Sequence, residues 1–251
     1  MKILILGAGK MGSFFTDLLS FEHEVAVLES DPKRMRFIYN ALRLQKPEEV
    51  AEFKPELVIN CVTLSYTIEA FKSVMPYLQP YCIISDIASV KTHLKEFYET
   101  CNFPYVSTHP MFGPTLQLGT TGKRKYDHHL RRDHLGKIFF KDIYSSLRLH
   151  ICEYTFEEHD KVVAYSLGIP FASTMVFAAT MKHQDAPGTT FKRHMKIARG
   201  LLSEDDYLLT EILFNPRTPH QIARIQEELD ILQRIIKDKD SEGMKGYLTK
   251  I

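Results

Sequence analysis

Hydrophobic positions in the first part of the chain come in short, nearly continuous runs. Residues 2–6, 24–28 and 57–61 are typical of parallel strands covered on both faces, because few polar residues interrupt them. Two further runs, 81–84 and 103–106, follow segments whose apolar residues recur at helical spacing. Strands that alternate with helices predict an α/β fold with a Rossmann-type doubly wound, mostly parallel sheet.

From residue 156 the apolar spacing becomes helical almost throughout. It predicts a long helix over 157–182, with a break near 168–170 because a proline there interrupts the backbone hydrogen bonding. Further helices are predicted over 191–202, 204–214 and 218–237, followed by a short terminal helix. The sequence therefore predicts a dinucleotide-binding domain over residues 1–153 and an all-helical C-terminal domain over residues 154–251.

A glycine motif, Gly-x-Gly-x-x-Gly, connects the first predicted strand to the first predicted helix. In this motif Gly7 permits a tight turn, Gly9 lets a pyrophosphate approach the backbone, and Gly12 lets helix and strand pack closely. The helix N-terminus adds N–H groups and a partial positive charge. We predict that Gly7, Gly9, Lys10, Met11 and Gly12 bind the phosphates of a dinucleotide.

Glu29 ends the second predicted strand, at the distance from the glycine motif where a carboxylate binds the ribose 2′-hydroxyl of NAD. Such a carboxylate repels a 2′-phosphate, so the sequence favours NAD over NADP. Asp31 is typical of a helix start, and Lys33 or Arg34 could hold a 2′-phosphate if Glu29 turned away. NADP therefore remains an alternative.

The carboxyl ends of parallel strands meet at the ligand-binding edge of such a sheet. Cys61, Val62 and Asp86 follow or end two of the predicted strands, and we predict that they contact the dinucleotide. Ser89 and Lys91 come shortly after Asp86 and are candidates for substrate binding. Each also has a structural interpretation, Ser89 as a helix N-cap and Lys91 as a solvated lysine in the first helical turn.

His109 follows the last predicted strand of this half, within a segment that contains two prolines and a glycine. These residues fix the backbone in a non-helical path. A histidine at this edge can act as a general base near neutral pH, because its ordinary pKa is about 6.5. The alternative interpretation is a loop histidine that caps a turn.

Composition narrows the class of protein. The chain has 251 residues and a formal net charge of +1, which gives no reason to expect nucleic acid or a membrane surface as a partner. Its four cysteines include no Cys-x-x-Cys pair, so we expect free thiols in a reducing compartment. No apolar run approaches the length of a membrane span. Because the chain begins directly with a strand, we expect no signal peptide and a cytoplasmic location. No metal site is predicted, since His128, His129 and His134 lack suitably spaced acidic or cysteine partners.

Four segments together resemble the prephenate dehydrogenase family, which includes arogenate dehydrogenases. They are Gly7-Ala-Gly-Lys-Met-Gly12, Asp86-Ile-Ala-Ser-Val-Lys91, His109-Pro-Met-Phe-Gly-Pro114 and Glu157-Glu-His-Asp160. The resemblance implies an NAD(P)-dependent oxidative decarboxylation of prephenate to 4-hydroxyphenylpyruvate on the route to tyrosine, or the equivalent reaction of arogenate. It also implies a homodimer formed by the helical domain.

The resemblance assigns roles to individual residues. His109 would accept the proton of the ring hydroxyl, and Ser89 would bind that hydroxyl and orient His109. Arg199 would bind a substrate carboxylate with its bidentate guanidinium, with Lys192, Arg193 and Lys196 as nearby alternatives. Related reductases of hydroxy acids or imines, and a dinucleotide-binding homologue without catalytic activity, are the alternative functions.

Two departures from the family pattern qualify this interpretation. Pro170 stands where family members often have a substrate-binding histidine. This leaves open whether the substrate is prephenate or arogenate. Residues 116–132 are polar and basic where the family has an apolar strand. They form either an exposed basic loop or a stretch translated in a shifted reading frame. A shift of one nucleotide, with permitted codons, converts residues 123–132 to Lys-Glu-Asn-Met-Ile-Ile-Ile-Ser-Glu-Gly. In that case the chain would lack one core strand.

Overall fold

The computed structural model describes residues 1–112, the backbone of 125–131, and residues 134–182, 184–203 and 206–251. The chain divides into two compact units, Met1–His159 and Asp160–Ile251. The division falls after residue 159, whereas the sequence analysis placed it after residue 153. The difference arises because Phe156 and His159 pack on side chains of the first unit, at Tyr98 and His109.

Unit 1 contains one eight-stranded sheet among the described residues. Its spatial order is β3-β2-β1-β4-β5-β6-β7-β8, and the first six strands in that order are mutually parallel. β7 is antiparallel to β6 and parallel to β8. The strands are β1 (Lys2–Leu6), β2 (Glu24–Leu28), β3 (Leu42–Leu44), β4 (Leu57–Asn60), β5 (Ile83–Asp86), β6 (Tyr105–Pro110), β7 (Lys125–Arg131) and β8 (His150–Glu153).

Helices cover both faces of this sheet, which confirms the predicted Rossmann-type fold. Successive side chains of β1 point to opposite faces, so Ile3 and Ile5 join one buried core with Phe15, while Leu4 and Leu6 join another with Phe71. The helices are α1 (Lys10–Leu19), α2 (Pro32–Met35), α3 (Val50–Phe53), α4 (Leu64–Val74), α5 (Leu94–Thr100), α6 (His134–Ser146) and α7 (Phe156–Val163).

One of the two interpretations of the basic segment, residues 116–132, is an exposed loop. Part of the segment is a strand instead. The backbone of β7 is a strand with neighbours on both sides, and Asp127 pairs with His109 of β6 and with Cys152 of β8. The sheet therefore does not lack this strand. Residues 116–124 and 132 lie outside the described part of the chain, as do the side chains of 125–131, including His128 and His129.

Unit 2 is helical wherever the structure describes regular elements. The predicted break near 168–170 is a π-helical turn, Ala164–Gly168, after which Pro170 occupies the first turn of the next helix, where its missing N–H costs no hydrogen bond. The helices are α8 (Ile169–Thr180), α9 (Thr189–Leu202), α10 (Asp206–Leu213), α11 (Thr218–Asp238) and α12 (Ser241–Lys250).

The helical run Phe156–Thr180 is long and apolar enough to cross a membrane. This differs from the expectation that no apolar run approaches that length. This is a match of length and composition only, and a single helix of this kind is weak evidence for a membrane span, because core helices of soluble proteins can have the same properties.

Candidate active site

The glycine loop between β1 and α1 depends on backbone geometry that only glycine provides. Gly7 has a φ of 90°, in the left-handed region, and its N–H donates to the Leu28 carbonyl at 2.9 Å. A β-carbon on Gly12 would lie 1.9 Å from the Gly7 carbonyl oxygen. A β-carbon on Gly9 would meet no atom within 4 Å, so the space above the N-terminus of α1 is open.

Lys10 and Met11 form the first turn of α1 and differ in environment. Lys10 is exposed, whereas Met11 packs against the buried core beneath the loop. The first turn of α1 has no acidic residue. The N–H groups and partial positive charge at this helix end therefore face the open space without a competing carboxylate from that turn.

Glu29 is held against the glycine loop by both oxygens of its carboxylate. Oε2 accepts a hydrogen bond from the Ala8 N–H at 2.8 Å, and Oε1 accepts from the Asp31 N–H at 2.8 Å. Asp31 caps α2 by accepting from the Lys33 N–H. The side chain of Lys33 is exposed. The Glu29 carboxylate, in contrast, lies directly against the glycine loop.

The end of β4 contacts the glycine loop from the other side. The Cys61 N–H donates to the Leu6 carbonyl at 2.8 Å, and a β-carbon on Gly7 would come 3.1 Å from Cγ1 of Val62. Burial raises the pKa of the Cys61 thiol, which is therefore neutral. Cys61 and Val62 thus form one wall of the loop.

A buried ion pair joins Asp86 at the end of β5 to Lys91. The Lys91 Nζ lies 2.5 Å from the Asp86 Oδ1, and both side chains are 0% exposed. Nζ also donates to the Thr108 carbonyl at 2.8 Å, and the Tyr98 hydroxyl donates to the other Asp86 oxygen at 2.7 Å. Burial and the adjacent Asp86 raise the pKa of Tyr98 well above its ordinary value. The interpretation of Lys91 as a solvated lysine is therefore wrong.

This ion pair ties β5 to β6 one residue before His109. The two strands are parallel neighbours, with Asp86 paired to Ser107. Ser89 lies between Asp86 and Lys91 in the chain and is half-buried. The segments that contain Ser89 and His109 therefore leave the sheet side by side, at the same edge as the glycine loop.

His109 is the penultimate residue of β6 and is 5% exposed. Its Nδ1 lies 2.9 Å from Nε2 of His159, which is fully buried. The sequence analysis did not single out His159 as a functional residue. The only signal for it was its place in the Glu157-Glu-His-Asp160 segment, because fifty residues separate the two histidines in the chain.

The remaining predicted residues belong to unit 2. Arg199 is exposed in the last turn of α9, and Lys192, Arg193 and Lys196 are exposed on the same helix. Pro170 lies in the first turn of α8. Gly113 and Pro114, which complete the segment around His109, lie outside the described residues.

The chain is similar to known proteins in sequence and in fold. A model of the prephenate dehydrogenase nucleotide-binding domain matches residues 31–126. A "Probable arogenate/prephenate dehydrogenase" of Methanocaldococcus jannaschii is 23% identical over 216 residues, covering 76% of this chain and 46% of the relative. The chain thus spans about half the length of this curated relative.

Two solved structures are similar over the whole chain. Prephenate dehydrogenase from A. aeolicus, in complex with hydroxyphenyl propionate and NAD+, has a TM-score of 0.82 at 20% identity and covers 100% of this chain and 95% of its own. Synechocystis arogenate dehydrogenase has a TM-score of 0.73 at 19% identity, with 100% and 97% coverage. Residues 31–126 are thus similar to the nucleotide-binding domain of prephenate dehydrogenases, and the chain shares the fold of these two enzymes.

Proposed function

We propose that this protein is an NAD-dependent prephenate dehydrogenase that converts prephenate to 4-hydroxyphenylpyruvate with loss of CO2. The observation that carries the proposal is the buried His109 at the carboxyl end of β6, on the same sheet edge as the glycine loop after β1. A general base and a dinucleotide-binding loop at one edge fit the oxidation of an alcohol. Arogenate dehydrogenase is the alternative, since the chain resembles enzymes of both types.

The residues of the glycine loop fit NAD. The open space at Gly9 and the N-terminus of α1 would accept the pyrophosphate, with Cys61 and Val62 as the adjoining wall. The Glu29 carboxylate at the end of β2 would accept hydrogen bonds from the ribose hydroxyls and repel a 2′-phosphate, which favours NAD over NADP. When bound, NAD+ supplies the hydride acceptor for the reaction.

The chain's own residues supply proton transfer and positioning. His109 accepts the proton of the ring hydroxyl as the hydroxyl-bearing carbon is oxidised, and Ser89 binds the same hydroxyl and orients His109. Loss of the ring carboxylate as CO2 then makes the ring aromatic, which drives the reaction forward. Because Asp86 and Lys91 are buried against each other, we assign them the positioning of β5 and β6 in place of direct contact with cofactor or substrate.

Substrate carboxylates require cations, and Arg199 in unit 2 is the proposed partner, with Lys192, Arg193 and Lys196 as alternatives. Unit 2 also carries exposed apolar side chains, which suit burial in a homodimer. They include Val176, Ile197, Tyr207, Phe214 and Ile236. We further propose that the enzyme is soluble and cytoplasmic and that its substrate is a small molecule.

The test is NADH formation at 340 nm with prephenate and then arogenate, using NAD+ and NADP+ in turn. Turnover of prephenate with NAD+ supports the proposal, and turnover of arogenate alone supports the alternative. NAD+ binding without turnover of either substrate would contradict both. It would favour a dinucleotide-binding homologue without this activity, for which Pro170 in place of a substrate-binding histidine is the supporting observation.

Two alanine substitutions in the glycine loop are expected to separate cofactor binding from folding. Gly9→Ala adds a methyl group where no protein atom lies within 4 Å, so the free energy of unfolding should fall by no more than about 1 kcal/mol, the typical cost of alanine at a helix N-cap. The methyl group should nevertheless weaken NAD+ binding by about tenfold or more, equivalent to about 1.4 kcal/mol. Isothermal titration calorimetry with NAD+ measures the affinity.

Gly12→Ala is the matched comparison, because its β-carbon would lie 1.9 Å from the Gly7 carbonyl oxygen. It should lower both the melting temperature and the affinity for NAD+. Gly200→Ala, in α9 with no atom within 4 Å of its β-carbon, is the control and should leave both unchanged or raise the melting temperature slightly. Unchanged NAD+ affinity in Gly9→Ala would contradict the assignment of the loop.

Lys91→Met is expected to destabilise the protein by about 3–5 kcal/mol, because it leaves the Asp86 carboxylate buried without its cation. Lys95→Met removes an exposed ion pair in which Lys95 Nζ lies 2.8 Å from Glu157 Oε1. It should lower the free energy of unfolding by about 0–1 kcal/mol. Chemical denaturation measures both. The double substitution Asp86→Asn with Lys91→Met should recover part of the loss, and equal costs for the two lysine variants would contradict the buried-pair argument.

A further inference from the structure

We propose that His159 is a positioning residue that fixes the tautomer of His109, so that Nε2 of His109 carries no proton and can accept one from the substrate. The inference rests on the proposed function, since it concerns the base of that reaction. The pair is a feature of unit 1 alone, with His109 on β6 and His159 on α7.

The two rings meet in a geometry that permits one hydrogen bond. Nδ1 of His109 and Nε2 of His159 are 2.9 Å apart, and the ring planes meet at 62° with centroids 5.1 Å apart. His159 is 0% exposed and His109 is 5% exposed, so water has little access to either ring. Leaving either nitrogen without its hydrogen bond inside the protein would cost stability.

One proton must lie between these two nitrogens, since a hydrogen bond needs one donor and one acceptor. If Nε2 of His159 donated, Nδ1 of a neutral His109 would be the acceptor, and the proton of His109 would occupy its Nε2. That nitrogen could then not act as a base. If Nδ1 of His109 donates, the proton of a neutral His109 is on Nδ1 and the ring lone pair is on Nε2. The second arrangement is the one that a general base requires.

The position of His159 next to His109 is fixed by α7. The His159 N–H donates to the Thr155 carbonyl at 2.9 Å. Thr155 and Glu158 form reciprocal bonds at the start of the helix, with the Thr155 N–H donating to Glu158 Oε2 at 2.8 Å and the Glu158 N–H to Thr155 Oγ1 at 3.2 Å. Phe156 stacks against the buried Tyr98 of α5.

A neutral imidazole as acceptor also differs chemically from a carboxylate. A carboxylate beside Nδ1 would stabilise the protonated form of His109 and raise its pKa. A neutral His159 orients the ring without adding a charge beside the dinucleotide. When His109 takes up the substrate proton at Nε2, its Nδ1–H to His159 is retained, so the orienting bond persists through the transfer.

The first experiment reads the tautomer without requiring turnover. The 251-residue chain is labelled with 15N-histidine, and long-range 15N–1H correlation spectra identify which ring nitrogen of each histidine carries the proton. The spectra of His109→Asn and His159→Gln assign the signals. A proton on Nδ1 of neutral His109 supports the proposal, and a proton on its Nε2 overturns it. The outcome does not depend on whether prephenate is the substrate.

The second experiment measures kinetics in three variants. His159→Leu removes the acceptor and should lower kcat by about 10²-fold, with KM and NAD+ affinity unchanged. His159→Gln supplies an amide oxygen that can accept from Nδ1–H and should recover most of that loss. His159→Glu should move the acidic limb of the pH profile to higher pH by about one unit, because a carboxylate favours the imidazolium.

A purely structural role for His159 gives a different pattern. It predicts equal losses in all three variants, lower NAD+ affinity and an unmoved pH profile, and that pattern would overturn the proposal. If His159→Leu fails to fold, the Gln and Glu variants still distinguish the two roles, because each retains a polar acceptor in the buried position.

Discussion

His109→Asn is expected to lower kcat by about 10²–10⁴-fold, the range that loss of a general base typically produces. Asparagine preserves a polar side chain of similar length at the end of β6, but its amide cannot take up the hydroxyl proton. The backbone pairing of β6 with β5 does not involve this side chain, so the fold should persist. Stopped-flow or steady-state NADH formation measures kcat, and isothermal titration calorimetry measures NAD+ affinity.

The control is His150→Asn, which changes an exposed histidine at the start of β8 in the same unit. It should leave kcat, NAD+ affinity and melting temperature unchanged. A His109→Asn variant that retained at least a third of the original kcat would remove His109 as the base. Loss of NAD+ binding together with kcat would instead indicate that the substitution disturbs the sheet edge.

The sequence was sufficient to predict the β1–α1–β2 part of unit 1, because its signals are local. The observed strands β1 and β2 have the predicted bounds, and the glycine spacing anticipated the left-handed Gly7 and the close contact at Gly12. Each of these signals lies within a few residues of the structure that it specifies. The short strands β3 and β8 were missed, because Leu-Arg-Leu and His-Ile-Cys-Glu lack the continuous apolar run that identified the equally short β4 and β5.

The electrostatics of the site could not be predicted in the same way. Charged residues are almost never fully buried unless paired, so Lys91 was interpreted as either solvated or directed to a ligand. Its pairing with Asp86 depends on the approach of β5, α5 and β6, which no local pattern records. The same applies to His159, whose contact with His109 forms only when α7 packs on the sheet.

The basic segment shows a conflict between local sequence and position in the fold. β7 lies inside the sheet, paired with β6 on one side and β8 on the other. Strands in such positions are normally apolar throughout, because helices cover both faces. Residues 125–131, Lys-Tyr-Asp-His-His-Leu-Arg, contain few apolar side chains. A disagreement of this kind between local sequence and global fold is uncommon in natural proteins.

The shifted reading frame would remove this conflict. It places Asn-Met-Ile-Ile-Ile-Ser-Glu at 125–131, and its three isoleucines fall at 127, 128 and 129. These positions pair with His109, Thr108 and Ser107 of β6. The apolar run therefore coincides with the centre of the paired strand, beside the residue proposed as the general base.

A variant whose residues 123–132 read Lys-Glu-Asn-Met-Ile-Ile-Ile-Ser-Glu-Gly is therefore expected to be more stable. Full burial of an isoleucine contributes about 1.5–3 kcal/mol, so three of them should add at least about 3 kcal/mol even when part of their surface remains exposed. For a chain of this size that corresponds to a rise in melting temperature of about 6–12 °C. Differential scanning calorimetry measures it, and a variant with the same ten residues scrambled to separate the isoleucines is the control.

The two possible origins of the segment then give different results. If the frame slipped, the rewritten variant should gain stability and kcat together, because β7 adjoins His109, and resequencing the source DNA should reveal compensating insertions or deletions on either side of residues 123–132. If the segment is native, the rewritten and scrambled variants should both be no more stable than the original chain, and the DNA should show an intact frame. A stable original chain with full activity would then mean that a polar strand is tolerated at this position, between β6 and β8.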